Sequence, residues 1–285
     1  MKIPKRLQPL LEDGLIDDII CELQSGKEAQ VYMVRCGEVV RCAKVYKEAN
    51  KRSFKQAVQY QEGRKSKNSR RDRAMQKRTS YGQKESEQAW LSAEVDALYQ
   101  LAAAGVRVPE PCGFNDGVLL MELITDGDGH AAPRLSEVRF SRELALEYHS
   151  ILINEVVRML CAGLVHGDLS EFNVLVDDQG PVIIDLPQAV NAAGNNNAYM
   201  MLARDVDNMR NYFGQYAPEL ASTAYSKEIW NHYENGNLKP DIKLSGLFAE
   251  SAISIGVDDV MSVIDAALKE ELERRRFEEE RDLEE

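Results

Sequence analysis

No stretch of this chain approaches the roughly 18 consecutive apolar residues that a membrane-crossing helix needs, which removes helical membrane proteins from consideration. No C-x-x-C pair occurs. The five cysteines, Cys21, Cys36, Cys42, Cys112 and Cys161, are odd in number and scattered. That usage excludes a zinc ribbon and points to reduced thiols in a cytoplasmic protein. Neither G-x-G-x-x-G nor G-x-x-x-x-G-K-[ST] is present, so the common glycine-rich phosphate loops are missing. The opening Met1-Lys2-Ile3-Pro4-Lys5-Arg6 runs into mixed acidic and apolar residues, unlike the core of a secretory signal. No internal repeat is visible.

What remains is an acidic chain of 285 residues, net charge −12 and 44% hydrophobic, long enough for two lobes with substantial cores. Its charge is uneven. Between Lys47 and Lys84 there are 13 Lys and Arg against three acids. The acidic total argues against a general nucleic-acid binder, while the local basic density permits contact with phosphates of RNA or ATP. The alternative for 48–84 is a solvated insertion without function. From Lys269 to Glu285 nine acids meet five bases, the composition of a solvated tail.

The most informative stretch is His166-Gly167-Asp168-Leu169-Ser170-Glu171-Phe172-Asn173, with Ile183-Ile184-Asp185 ending twelve residues after Asn173. Val174-Leu175-Val176 and Pro181-Val182-Ile183-Ile184 flank the turn-rich Asp177-Asp178-Gln179-Gly180, which predicts a β-hairpin. Asn173 and Asp185 then share its open end, within reach of one Mg²⁺. That ion prefers a few hard protein oxygens completed by phosphate oxygens. Asp168 sits on the entering loop, placed to receive a hydroxyl proton. Each residue alone could merely cap a turn or end a strand; the three together at this spacing point to phosphoryl transfer.

Lys44 lies in Val40-Arg41-Cys42-Ala43-Lys44-Val45-Tyr46, a predicted strand. An inward lysine needs an anionic partner, because an unpaired buried ammonium is costly. Glu94 can supply one, from a helix predicted over 85–104 in which Trp90, Glu94, Ala97, Leu98 and Leu101 share a face and Gly105 ends the run. Ser25-Gly26-Lys27-Glu28-Ala29 is a candidate phosphate-covering turn: Gly26 lets backbone N–H groups approach oxygens, and Ser25 and Lys27 can donate. A plain turn is the alternative.

Elsewhere, apolar spacing over 6–22 predicts one or two short helices. Residues 31–35 and 39–46 read as strands, Val108–Pro111 as a rigid connector and Val118–Leu123 as a buried strand. Gly127 to Pro133 reads as a linker between lobes. Ser141 can N-cap a long helix to about Cys161, with Gly163 at its end. Further helices are predicted over 198–213, about 217–234 and from about 256.

Together these residues resemble the RIO family of atypical serine/threonine protein kinases, in the form without a winged-helix domain, over about residues 5–235. Ser25-Gly26-Lys27-Glu28-Ala29-Gln30-Val31-Tyr32 resembles its phosphate loop, Ala43-Lys44-Val45-Tyr46 its ATP-lysine strand, and Glu94 the ion-pair partner. Met121-Glu122-Leu123 falls at the hinge, where the resemblance implies that backbone groups at Met121 and Leu123 bind adenine. Ala132-Pro133-Arg134-Leu135 also echoes the family. His166 to Asn173 resembles the catalytic loop, with Leu169-Ser170-Glu171 the specific part, and Ile184-Asp185-Leu186-Pro187-Gln188-Ala189 resembles the metal loop. Gly167 stands where Ala is common, and Pro187 where Ser is common.

The resemblance implies an α+β, two-lobed protein-kinase-like fold: a small β-rich N-lobe, a mainly helical C-lobe and a reduced substrate-binding region. The expected division is 1–22 N-terminal helices, 23–125 N-lobe with a basic insertion at 48–84, 126–268 C-lobe and 269–285 charged tail. Asp168 is then the catalytic acceptor of the hydroxyl proton. Asn173 and Asp185 hold Mg²⁺, with Mn²⁺ as a substitute, and Asp185 can accept a phosphoryl group as an aspartyl-phosphate. Three functions follow. The first is Mg-ATP-dependent transfer to protein Ser/Thr, the protein itself included, with Ser53, Ser66, Ser69, Thr79 and Ser80 as candidate acceptors. The second is an ATPase switch on ribosomal particles in small-subunit maturation, touching RNA through 48–84. The third is an aminoglycoside-like small-molecule kinase.

Overall fold

The structure, a computed structural model, describes residues 4–26, 28–47 and 93–248. Its first half is a five-stranded antiparallel sheet in the order β1-β2-β3-β5-β4. The strands are β1 (Asp18–Ser25), β2 (Ala29–Cys36), β3 (Val39–Tyr46), β4 (Pro111–Asn115) and β5 (Val118–Glu122). A short helix α1 (Gln8–Glu12) precedes the sheet, and a helix α2 over residues 93–103 follows β3.

Period-two alternation sorts the side chains of the central strands between two faces. Ala43 and Val45 of β3 and Val118 of β5 pack with Leu7, Leu10 and Ile16 in a small core under α1. Cys42, Lys44 and Tyr46 must then face the other way, as must Leu119 and Met121, which lie opposite Lys44 and Cys42 in the β3–β5 register. Helical spacing does the same for α2. Glu94, Leu98 and Leu101 stand at i, i+4 and i+7 and are all buried. A one-residue slip of β3 would carry Lys44 into the small apolar core that now holds Ala43 and Val45.

The second half is mainly helical. Helix α3 (Arg142–Cys161) begins at Ser141, whose Oγ accepts from Leu144 N at 3.2 Å, as expected. Two small antiparallel pairs follow: β6 (Leu164–Val165) with β9 (Val190–Asn191), and β7 (Val174–Asp177) with β8 (Gly180–Ile183). Then come α4 (Ala198–Gly214), a 3₁₀ turn (Pro218–Ser222) and α5 (Tyr225–Glu234). One core runs from α2 through α3 to α4, including Leu101, Leu152, Leu160, Met209 and Phe213.

Four expectations are corrected. The helices predicted over 6–22 reduce to α1, because Gly14 adopts φ 68 and ends the run; Ile19 and Ile20 belong to β1. The sheet therefore starts at Asp18, and the expected boundary at residue 22 falls inside β1. The connector 108–111 already carries Pro111, the first residue of β4, an edge strand, where a residue without an N–H is tolerated. The helix predicted over 217–234 is broken after Ser222, since Pro218 starts a 3₁₀ turn and α5 begins only at Tyr225. Lys27, the predicted helix start 85–92 with Trp90, the basic segment 48–84, the helix from about 256 and the tail 269–285 lie outside the described residues. Among the described residues no helix is long and apolar enough to cross a membrane.

Candidate active site

The hairpin β7–β8 forms in the predicted register, Val174 opposite Ile183 and Asp177 opposite Gly180. Gly180 sits at φ 118, a conformation that requires glycine at the turn. At the open end Ile184 N–H donates to Asn173 C=O at 3.0 Å, so Asn173 and the residue next to Asp185 are directly paired. Asp185 itself adopts φ 67, a left-handed conformation costing roughly 1–3 kcal/mol for a non-glycine residue.

Lys44 Nζ lies 2.5 Å from Glu94 Oε1 and 2.7 Å from Asp185 Oδ1. The Lys44 and Glu94 side chains are 13% and 4% exposed, while that of Asp185 is 46% exposed. Burial alone would pull the Lys44 ammonium down. The carboxylates of Asp185 and Glu94 outweigh it and hold Lys44 well above its ordinary value. In return Lys44 holds Asp185 below the usual carboxylate range. The three groups line a narrow cleft of about 30 Å³, whose walls also include Leu98, Leu119, Met121 and Leu186.

On the loop from His166 to Asn173, some side chains face inward and others outward. His166 and Leu169 are buried and Asp168 is exposed. The loop is tied from several directions. His166 Nε2 lies 3.2 Å from Ile184 C=O, and His166 Nδ1 accepts from Asp168 N–H at 3.2 Å. Nε2 therefore carries the ring proton, and burial lowers the His166 pKa, favouring the neutral ring. Asn173 Nδ2 donates to Asp168 C=O at 2.8 Å. Gly167, at φ 80, takes a conformation that favours glycine. Although Asp168 is exposed, partial desolvation by the neighbouring protein raises it; Arg204 pulls it down and the charge of Asp185 raises it further.

Helix α4 contributes a clamp that the sequence reading missed. Asp205, 1% exposed, accepts from Gly167 N at 2.7 Å and from Leu169 N at 2.9 Å. It thus grips the backbone on both sides of Asp168. Burial pushes Asp205 up to about 7, against the pull of those two donors and of Arg204. Asn208 Nδ2 donates to Leu169 C=O at 2.9 Å, and Arg204 donates to Gly167 C=O. A signal was available: Asp205 interrupts the apolar stripe Met201, Met209, Phe213 at helical spacing. Arg134 donates to Phe172 C=O at 3.1 Å and to Gln24 Oε1 near the end of β1.

The structure thus brings Lys44, Glu94 and Asp185 into contact, and joins Asn173 to Asp168. Met121 lines the cleft and Leu123 lies just past β5. Ser25 ends β1 opposite Gln30, and Gly26 N–H donates to Ala29 C=O at 2.9 Å, closing a tight turn. Lys47 Nζ donates to Gly26 C=O. The site can also be tested for a divalent cation. Asn173 Oδ1 and Asp185 Oδ2 accept no hydrogen bond from a described residue, so two hard oxygens remain at the hairpin mouth. That donor set fits Mg²⁺.

A sheet-rich first half, a helical second half and a buried Lys–Glu pair beside an acid-bearing loop define the protein-kinase-like fold. The RIO domain family matches residues 30–226, and this chain belongs to that family. It is 38% identical over 208 residues to a RIO-type serine/threonine-protein kinase Rio1 of Haloferax volcanii, covering 72% of this chain and 66% of the relative. A protein of the same name from Methanocaldococcus jannaschii is 32% identical over 206 residues, with 72% and 66% covered. A human serine/threonine-protein kinase RIO1 is 31% identical over 214 residues, 73% of this chain and 35% of the relative. The chain therefore spans just under two thirds of the archaeal relatives and about a third of the human one.

Proposed function

We propose that this chain transfers the γ-phosphoryl group of Mg-ATP to serine and threonine hydroxyls of proteins, itself included. The observation carrying the reading is the Lys44 ammonium held between Glu94 and Asp185, all three lining a cleft with Leu98, Leu119, Met121 and Leu186. Stability does not call for such a cluster, since apolar residues of similar volume are often as good or better. An ammonium held in place by carboxylates on a cleft wall suits polyphosphate oxygens. The names of the relatives, all serine/threonine-protein kinases, support the same reading.

In this reading Lys44 engages the α- and β-phosphates and Glu94 fixes its position. Ser25, Gly26 and Lys27 cover the phosphates, and the backbone at Met121 and Leu123 meets the adenine. Asn173 and Asp185 hold the metal, Mg²⁺ or Mn²⁺, which when bound neutralises phosphate charge. As the acceptor oxygen bonds to phosphorus, the bond from phosphorus to ADP breaks and the hydroxyl proton passes to Asp168. Asp185 is also the candidate for an aspartyl-phosphate. The aminoglycoside-like alternative is not favoured, because the relatives carry protein-kinase names. The density of Lys and Arg over 48–84 supports a second reading, an ATPase switch on ribosomal particles, which co-sedimentation of wild type and a 48–84 deletion would check.

Incubation with γ-labelled ATP tests the main reading. Wild type is expected to label itself on Ser or Thr, while Asp168→Ala binds ATP but incorporates no label. Asp185→Asn should lose metal dependence and any acid-stable, hydroxylamine-sensitive phosphate. Equal labelling of wild type and Asp168→Ala would refute it.

A further inference from the structure

Just past Asp185 the chain turns back on itself. Ala189 N–H donates to Leu186 C=O at 3.0 Å, closing a turn with Pro187 and Gln188 at its centre. Pro187 suits the first central position, where its fixed φ is right and no N–H is required. The turn aims Gln188 at the catalytic loop, and its Nε2 donates to Asp168 Oδ2 at 3.2 Å. The Asp168 backbone is anchored separately, by His166 Nδ1 and by the Asn173 amide. Among the described residues Gln188 alone hydrogen-bonds the Asp168 carboxylate. Oδ1 accepts nothing, and the residue is exposed.

We propose that Gln188 is a positioning residue that fixes the rotation of the Asp168 carboxylate and presents Oδ1 to the acceptor hydroxyl. The proposal rests on the kinase reading above and adds the group that aims its base. The terminal torsion of an aspartate is broad and roughly two-fold, so an unanchored carboxylate samples directions useless for proton transfer. Alignment of reacting groups is worth large rate factors. A glutamine fits this task because its amide nitrogen donates; a glutamate in its place has no donor when ionised and sets like charges together.

Gln188→Met tests the inference, since it keeps the length of the side chain and removes the donor. Gln188→Glu reverses the polarity. Both variants, wild type and Asp168→Ala are compared as full chains for turnover of γ-labelled ATP, ATP affinity and melting temperature. Gln188→Met is expected to lower kcat about 10- to 100-fold while ATP affinity stays within about twofold. Gln188→Glu falls at least as far. Melting temperatures stay within about 2 °C of wild type. A merely structural role would move stability and ATP binding along with kcat. Wild-type turnover in Gln188→Met, or ATP affinity falling in step with kcat, overturns the proposal. If Asp168→Ala is dead and Gln188→Met unimpaired, the kinase reading stands and this inference falls. If Asp168→Ala matches wild type, both fall.

Discussion

Removing the Lys44 ammonium separates stability from function at this site. In Lys44→Met the Glu94 carboxylate, 4% exposed, loses the cation 2.5 Å away. Breaking one partner of a buried ion pair costs about 3–5 kcal/mol. The Asp185 contact adds little to that figure, because its carboxylate is about half exposed and water screens it. The companion variant Lys44→Met/Glu94→Leu removes the stranded charge as well and fills the space with apolar atoms. It is expected to recover most of the loss, because a buried pair exchanged for packed apolar residues is often neutral or stabilising. Urea unfolding of the wild type, both single variants and the double variant at pH 7.5 gives the coupling energy directly. Activity should follow a different order: all three variants lose phosphoryl transfer, including the restabilised one. A stability change under about 0.5 kcal/mol in Lys44→Met, typical of surface substitutions, would refute the buried-pair account. Activity in the double variant would refute the role given to Lys44.

Three further outcomes are expected. Asp205→Ala releases the Gly167 and Leu169 amides, so their hydrogen exchange should quicken and kcat fall about 10-fold or more at unchanged ATP affinity. Gly167→Ala forces an alanine to φ 80 and should cost roughly 1–2 kcal/mol in chemical denaturation. His149 is buried against Phe213 and Tyr225, and burial first, then Arg210, lowers its pKa to about 4. Its unfolded form takes up a proton near pH 6.5, so its contribution is complete above 6.5 and is lost as pH falls towards 4, by about 3 kcal/mol. Asp205 acts in the opposite sense, its raised pKa favouring the fold at low pH. It is common to both proteins, so the stability of wild type minus His149→Leu isolates the histidine and should fall from pH 7 to pH 4.

The strongest local signals carried through to three dimensions. The Gly180 turn fixed the β7–β8 register, and with it the shared open end of Asn173 and Asp185. The Ser141 cap started α3 where the side chain predicts. The weaker signals misled. Leu7, Leu10, Ile19 and Ile20 share a helical spacing, yet only the first pair is helical or flanks a helix. Gly14 intervenes, and pairing with β2 makes Asp18–Ser25 a strand. Over so few residues helix and strand periods fit the same apolar positions, and the available partner decides. The contact of Gln188 with Asp168 has no local signature, because the two residues lie twenty positions apart.

Local order in the chain was enough to specify where the polar groups of the candidate site lie: a carboxamide and an acid at one hairpin mouth, an acid five residues before, a lysine in a strand. Those relations span few residues and depend on turn geometry and side-chain alternation. Tertiary structure alone decided what holds them. Glu94 meets Lys44 across 50 residues, Lys44 meets Asp185 across 141, and Asp205 grips the loop from 36 to 38 residues downstream. Such contacts arise because burying the apolar faces of β3, α2 and α4 in one place carries the attached polar groups with them, and no short-range pattern encodes that meeting.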